Sequence, residues 1–226
     1  MRLAYWASLL VCIFSLPVRG ALYQSVTYTS GFANNGVVPD ANPNGWQDTR
    51  TISGFVNTAQ ILDVNVRLQL SGGFNGDLYA YLYHAGTTVV LLNRVGATAA
   101  NPYGYLTSGM NVTFDGSGSI DIHLYGGGAN VTGTCQPDQR NTNPANTIDT
   151  SPRGPGLDAF NGLDPNGSWT LFFSDMSGGG ESQIQLLGFD ITATPEPTTI
   201  ALAIFGSVAV SVHFLRAWRR RKAAVR

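Results

Sequence analysis

The stretch Ile61–Leu70, with the sequence ILDVNVRLQL, decides the fold class of this chain. Its even-numbered positions from 62 to 70 all carry leucine or valine, and its odd-numbered positions from 63 to 69 all carry polar side chains. Because successive side chains of a strand point to opposite faces, this pattern predicts a β-strand with one face in the core and the other in water. Under this prediction, Leu62 and Leu70 are both core residues.

A second strand, predicted at Asp77–His84, has apolar side chains on both faces. The aliphatic residues at positions 78, 80 and 82 share one face, and Tyr79, Tyr81 and Tyr83 share the other. Tyrosine is favoured in strands as a cross-strand packing partner. Its ring also offers an apolar face with a polar rim, which can stack on a sugar. Both interpretations stand, so these tyrosines are candidate glycan contacts.

Further short apolar runs are separated by Gly, Asn, Ser and Thr, and no amphipathic helix of useful length interrupts them. This pattern predicts an all-β, jelly-roll sandwich. A change of apolar phase in the last run predicts a β-bulge near Gly188, and the weakly periodic Gly126–Asn161 is predicted to be a long loop. The further predicted strands are Thr88–Asn93, Met110–Asp115, Ser119–Leu124, Trp169–Ser174 and Ile184–Thr192.

Charge is unevenly distributed along the chain. Residues 21–194 contain five arginines, no lysine and thirteen acidic residues, and five against thirteen leaves a formal charge of −8. So few cations cannot neutralise many phosphates, which argues against nucleic acid as a partner. Cys12 lies in the leader described next, so Cys135 would be alone in the mature chain, without an intramolecular disulfide.

Both ends of the chain differ from the middle. Residues 1–20 begin with Arg2, continue through an apolar run to Leu16 and end at Gly20 in a short segment that signal peptidase can accept. This layout predicts a signal peptide that signal peptidase removes. Near the other end, the nearly uncharged Thr198–Leu215 has eighteen residues, enough for a transmembrane helix of about 27 Å. The basic cluster after it predicts a cytoplasmic end. It consists of Arg216, Arg219, Arg220, Arg221 and Lys222.

Pro195, Glu196 and Pro197 stand directly before this segment. The order of Pro-Glu-Pro, apolar segment and basic end resembles the PEP-CTERM sorting signal that exosortase recognises in Gram-negative bacteria. The resemblance implies an inner-membrane precursor, cleavage near Pro-Glu-Pro, and transfer to the cell surface or an extracellular polysaccharide matrix. The alternative is a plain single-pass anchor. The predicted organisation is therefore a leader at 1–20, a β-sandwich at 21–194 and a sorting tail at 195–226.

Two parts of the middle resemble the P domain of proprotein convertases. That resemblance implies a galactose-binding-like jelly roll of the kind that accompanies subtilisin-like proteases, although this sequence carries no protease domain. The matching segments are Val64–Leu70, Gly76–Leu82, Gly86–Thr87, Val89–Leu92, Phe160–Gly162, Asn166–Leu171, Asp175 and the closing strand through Phe189 and Ile191.

Candidate catalytic groups are few. A Ser-His-Asp site needs a histidine base, and His84 and His123 are both predicted at solvent-facing positions without a nucleophile motif. Four aspartates at strand ends, Asp77, Asp115, Asp121 and Asp175, could pair as in a glycosidase, but Asp is also a common turn residue. We therefore predict no catalytic residue.

No metal site and no cofactor are predicted, because the sequence contains no Asp-x-Asp-x-Asp-Gly loop. Related jelly rolls often carry a structural calcium ion, and Asp77 and Asp175 are the first candidates for ligands. The leading interpretation is a non-enzymatic surface or matrix protein with a structural, adhesive or weak polysaccharide-binding role. The alternatives are a secreted hydrolase and an accessory domain of a subtilisin-like protease.

Replacing Pro195, Glu196 and Pro197 by alanines should block processing of the tail without preventing membrane insertion, because insertion depends on the apolar run and orientation on the basic cluster. A species larger by about 30 residues should then accumulate in the membrane fraction. Mass spectrometry of the wild-type surface protein should find no peptide from residues 200–226. Recovery of Arg219–Lys222 in the mature protein would establish a plain anchor.

Overall fold

The computed structural model describes residues 21–128, 130–194 and 204–216. Residues Ala21–Thr194 form one compact unit. Separately, residues 204–216 form an α-helix. The predicted leader at 1–20, the Pro195–Pro197 motif and the Arg219–Lys222 part of the basic cluster lie outside the described residues.

Strands in the compact unit form a seven-stranded and a four-stranded sheet. The larger sheet has the order β1-β11-β4-β7-β9-β8, with β2 also paired to β11, and the smaller sheet has the order β3-β10-β5-β6. Neighbours are antiparallel except that β9 runs parallel to β7 and β8. The strands are β1 (Leu22–Tyr28), β2 (Val37–Val38), β3 (Trp46–Ile52), β4 (Ile61–Gly72), β5 (Leu78–His84), β6 (Thr87–Asn93), β7 (Met110–Phe114), β8 (Ile120–Asp121), β9 (Val131–Gln136), β10 (Gly167–Asp175) and β11 (Ser182–Ala193). Short 3₁₀ helices lie at Ala33–Gly36, Asn75–Asp77, Ile122–Leu124 and Leu157–Phe160.

The core lies between the two sheets, as the alternation in β4 predicts. Trp169 of β10 and Phe189 of β11 meet across it with ring centroids 5.4 Å apart. Trp169 and Leu171 are fully buried, as predicted, while Thr170 between them is only partly buried and bonds to Thr49. The domain is therefore an all-β sandwich.

The pairing of β4 with β11 contains two register shifts. One corrects the predicted face of Leu62, and the other corrects the predicted position of the bulge. Thr192 pairs with Asp63 but Ala193 pairs with Ile61, so the ladder skips Leu62. Ile61 is consequently buried and Leu62 is 48% exposed, contrary to the prediction. The second shift falls between Ile184 and Leu186 rather than near Gly188.

Elsewhere the prediction missed or misplaced several elements. The edge strands β1 and β3 were not predicted, and the predicted loop Gly126–Asn161 contains β9 and the whole 3₁₀ helix Leu157–Phe160. The predicted strand Ser119–Leu124 is only the two-residue β8, followed by a 3₁₀ turn that begins when Asp121 accepts a hydrogen bond from the His123 N–H. A weak apolar period explains the missed β9, which has the sequence VTGTCQ.

The β5–β6 hairpin follows from its two turn residues. His84 pairs with Thr87, leaving a two-residue loop of Ala85 and Gly86. Both loop residues have positive φ, 47° and 85°, which is the backbone of a type I′ turn that suits the twist of paired strands. The turn sets the register between β5, which carries the three tyrosines, and β6.

The helix at 204–216 covers part of the predicted membrane segment and includes Arg216. Among the described residues, no helix is both long and apolar enough to cross a membrane. Residues 198–203 of the predicted segment lie outside the described part of the chain.

The shifted ladder makes a matched pair of substitutions informative. Ile61→Ala should lower the free energy of unfolding by about 2–5 kcal/mol, because it removes a buried side chain from the core. Leu62→Ala should change it by less than about 0.5 kcal/mol, as for an ordinary surface position. Urea unfolding followed by tryptophan fluorescence measures both. Equal effects would show that the ladder does not skip Leu62.

Candidate functional site

An aromatic face covers the outer surface of the smaller sheet. Tyr81 of β5 stacks on Phe172 of β10 with ring centroids 4.7 Å apart and planes 14° apart. Tyr79 meets the same Phe172 ring edge-on at 6.3 Å. Burial, and secondarily the neighbouring Tyr81, raises the pKa of the Tyr79 hydroxyl. All three rings are only partly buried, so one side of this cluster remains open.

Toward the β5–β6 turn, the same surface of the smaller sheet carries Tyr83 and Thr170. Tyr83 is 43% exposed and pairs across the strands with Thr170. The Thr170 hydroxyl lies 2.9 Å from that of Thr49 on β3. We define the aromatic face as Tyr79, Tyr81, Tyr83 and Phe172. Phe172 was not singled out from the sequence, although consecutive phenylalanines in a strand require one of them to point away from the core.

Aspartates gather where β10 ends and β5 begins. Asp175 is fully buried and Asp77 is 5% exposed. The Ser177 N–H donates to Asp175 Oδ1 at 3.1 Å, whereas Asp175 Oδ2 is buried without a hydrogen-bond partner. Asp77 has a guanidinium nearby, with Arg94 Nη2 3.8 Å from its Oδ1. The structure thus brings together two of the four aspartates that the sequence offered as candidates.

Burial and nearby negative charges raise the pKa values of the two buried carboxylates. The pKa of Asp175 is raised to about 6, chiefly by burial and further by the negative charges of Asp77 and Asp40. Burial also raises the pKa of Asp77, against the opposing charge of Arg94. Asp40, which the sequence analysis missed, is exposed and accepts hydrogen bonds from the N–H groups of Gly179 and Gly180. The acidic cluster is defined as Asp40, Asp77 and Asp175.

A polar groove of about 720 Å³ lies beside the larger sheet. Asp63, Asp115 and Asp158 line it, together with the amide side chains of Gln136 and Gln139. Burial, followed by the charge of Asp115, raises the pKa of Asp63. One oxygen of Asp115 is already bound to the Ser117 N–H and hydroxyl, each at 2.7 Å, so it serves partly as a turn residue.

Both candidate histidines are buried, which corrects the prediction that they face solvent. His84 is 2% exposed because it shares the inward phase of the aliphatic residues in β5. Its ring stacks on Trp169 at 3.8 Å, and its two nitrogens contact the carbonyl oxygens of Ser168 and Asp164 at 3.0 and 2.7 Å. Carbonyl oxygens only accept, so both contacts are hydrogen bonds only in the doubly protonated ring.

His123 belongs to a buried ionic network. It is fully buried, with Nδ1 2.8 Å from Asp138 Oδ2 and Nε2 3.0 Å from the Ala97 carbonyl oxygen. Arg140 donates a hydrogen bond to Asp138, and it donates to both carboxylate oxygens of Asp121 at 3.3 and 3.1 Å. Asp121 is therefore an ion-pair partner, and neither histidine presents a free ring nitrogen to a substrate.

Every arginine of the compact unit contacts a carboxylate. This matters for ligand choice, because the unit has no lysine to bind an anionic polymer. The pairs are Arg50 with Asp48, Arg67 with Asp190, Arg94 with Asp77, Arg140 with Asp121 and Asp138, and Arg153 with Asp121.

Metal and thiol chemistry have little support in the described residues. In that part of the chain, no group of three or more His, Cys, Asp or Glu side chains is arranged to hold a metal ion. Cys135 is a free, fully buried thiol on β9, not the loop residue that was predicted. Burial raises its thiol pKa, which makes it less reactive.

No protein-family model and no curated protein matches this chain. Among solved structures, it is similar to the crystal structure of the serine protease of Aeromonas sobria, with 13% sequence identity and a TM-score of 0.39. The alignment covers 76% of this chain and 26% of that protein. An overlap of this quality assigns neither a fold family nor an activity.

The raised pKa of Asp175 predicts a pH dependence of stability in buffer containing EDTA. The folded-state pKa is about 6 against an ordinary value of 3.8, so the folded protein binds the proton more tightly. The contribution of Asp175 to the free energy of unfolding should be greatest below about pH 4. Up to about 3 kcal/mol of this contribution should be lost as the pH rises through 6. Asp175→Asn should flatten this part of the profile, measured by urea unfolding. The exposed control Glu181→Gln should retain it, and an unchanged slope in Asp175→Asn would contradict the assignment.

Proposed function

We propose that this chain is an exported surface or matrix protein whose aromatic face binds a neutral extracellular polysaccharide. The observation that carries the proposal is the row Tyr79, Tyr81 and Tyr83, left partly open to solvent on the outer face of the smaller sheet. Apolar rings are normally buried in the core of a sandwich. Rings held side by side on a sheet offer apolar faces and edges on which sugar rings can stack.

The charges of the domain favour a neutral rather than an anionic glycan. Residues 21–194 have a formal charge of −8 from five arginines and thirteen acidic residues. Each of those arginines already contacts a carboxylate. A polyanion approaching the domain would meet a repulsive field without a cation to bind it. Neutral sugars depend on stacking and hydroxyl contacts, which the aromatic face and Thr170 supply.

Export and processing are part of the same proposal. The signal-like leader, the Pro195–Pro197 motif and the basic cluster from Arg216 to Lys222 support secretion through the inner membrane and removal of the tail by exosortase. The two-sheet sandwich supports the finer interpretation as a P-domain-like jelly roll, galactose-binding-like in fold. Signal peptidase and exosortase are the proposed processing partners, and the final location is the cell surface or extracellular matrix.

A second candidate function is glycoside hydrolysis in the polar groove. The observation that favours it is the raised pKa of Asp63 beside Asp115, because a glycosidase uses a protonated acid next to a second carboxylate. Incubation with the same polysaccharides should then release reducing ends, and Asp63→Asn should abolish the release. An absence of turnover in the wild type would exclude this function. The accessory-domain alternative stays a prediction, which co-purification with a secreted subtilisin-like protease would test.

Substitution of Tyr79 and Tyr83 tests glycan binding directly. Each stacked ring contributes about 1 kcal/mol, so the double variant Tyr79→Ala, Tyr83→Ala should bind the producer's neutral extracellular polysaccharide roughly 30-fold more weakly. Affinity gel electrophoresis in gels containing that polysaccharide gives the dissociation constants. Tyr81 is left in place because its ring stacks face to face on Phe172, whereas Tyr79 meets that ring only edge-on.

The matched control is Tyr23→Ala, which removes a 66% exposed tyrosine from β1 of the other sheet. It should leave the affinity unchanged. Equal loss in both variants, or binding of an anionic polysaccharide such as alginate as tight as that of the neutral one, would contradict the proposed site.

A further inference from the structure

Three of the four sheet edges have features that prevent pairing with another strand. β3 carries Arg50 and the inward Asp48, which is 6% exposed, and charges of this kind protect an edge. β6 is covered by residues 138–139, whose N–H groups donate to two β6 carbonyl oxygens at 3.0 Å. The third edge consists of the two-residue β8 and of β9, where Gly133 has a φ of 96° that departs from strand geometry.

β1 is the fourth edge, and it has none of these features. Its seven residues, LYQSVTY, include no charge, proline or glycine, and they pair with β11 from Leu22 to Tyr28 without a register shift. Within the described ranges 21–128, 130–194 and 204–216, no strand pairs with the other side of β1. Every second residue of an edge strand directs its N–H and C=O away from the sheet. β1 therefore offers a row of backbone donors and acceptors to a partner strand.

The charged side chains that contact β1 are neutralised in pairs. Arg67 donates to the hydroxyls of Ser25 and Thr27 at 2.9 and 2.8 Å. Its Nε lies 2.9 Å from Asp190 Oδ2. Arg50, which lies over a β1 tyrosine ring, is likewise paired with a carboxylate. The domain carries a formal charge of −8, so two copies of it repel each other least where they meet along a locally neutral strand.

Strand geometry restricts how β1 pairs with a second β1. Residues directly opposite each other in an antiparallel pair have side chains on the same face, and β1 exposes Tyr23, Ser25 and Thr27 on one face. Odd-numbered residues must therefore stand opposite odd-numbered residues. The register that overlaps all seven residues places Ser25 opposite Ser25 of the second copy, and Tyr23 opposite Thr27 of the second copy. The latter is an aromatic and β-branched pair, which stabilises antiparallel strands.

We propose that β1 pairs antiparallel with β1 of a second copy of this chain, across a two-fold axis at Ser25. The pairing joins the two larger sheets into one continuous sheet. It ends at the dimer, because both copies use the same edge. A second copy is favoured over an unrelated peptide because β1 matches itself along its whole length without burying an unpaired charge.

Cysteine cross-linking of the full chain, purified in mild detergent with the substitution Cys12→Ser, tests the register. Ser25→Cys should form a disulfide-linked dimer on mild oxidation, because directly opposed Cα atoms lie about 5 Å apart. Tyr23→Cys is the matched control on the same exposed face. Its two copies are displaced by four residues, or about 13 Å, which is too far for a disulfide. Cys135 is fully buried, and non-reducing electrophoresis separates the products.

Sedimentation equilibrium in density-matched detergent measures the association itself. The wild-type mass should rise from one chain to two with increasing concentration. Ser25→Lys, its fold checked by tryptophan fluorescence, should weaken the dimer by roughly fivefold or more, because it sets two like charges directly opposite each other. Tyr23→Ala keeps the backbone of β1 and should still dimerise, so it remains a valid control for glycan binding.

Three results would overturn the proposal. The first is a wild-type mass of one chain throughout the concentration series. The second is equal cross-linking of Ser25→Cys and Tyr23→Cys, which would exclude the two-fold register. The third is a dimer that Ser25→Lys leaves unchanged, which would place the contact in the helix at 204–216 or on another surface. Glycan binding by the aromatic face is a separate measurement on the other sheet, so a failure of one proposal leaves the other standing.

Discussion

The packing of Trp169 between the two sheets is the contact on which the rest of the domain depends. Its ring is fully buried, and its centroid lies 5.1 Å from that of the Phe160 ring and 5.4 Å from that of the Phe189 ring. One side chain therefore connects the smaller sheet, a 3₁₀ helix and the larger sheet. The indole N–H donates to the Pro165 carbonyl, and the His84 ring stacks on the indole ring. A large aromatic ring in such a place contributes both buried area and fixed geometry.

Once the inner faces of both sheets are committed to this core, the outer faces are determined by strand alternation. Leu82 and Trp169 point inward, so Tyr81 and Thr170 must point outward. The aromatic face is therefore a consequence of core packing, and its rings are held by a rigid sheet rather than by a loop. Rigid presentation lowers the entropy that a bound ligand must remove.

Where the chain has few apolar residues, buried ion pairs and hydrogen bonds hold it in place. The segment from β8 to Arg153 has few apolar residues, and it is held by His123, Asp138, Arg140 and Asp121. Buried charges are tolerated when each is paired and hydrogen-bonded, which these are. Asp175 is the contrast, because its Oδ2 is buried without a hydrogen-bond partner.

The sequence by itself determined the fold class, most strand positions and the buried Trp169, because a period of two and turn residues such as Gly86 are local properties. It placed Tyr79, Tyr81 and Tyr83 on one face for the same reason. Only the tertiary structure decided that Leu62 is exposed, since the β4–β11 ladder skips it. Likewise, the burial of His123 and the meeting of Asp77 with Asp175 depend on contacts between residues distant in the chain, which a local period does not encode.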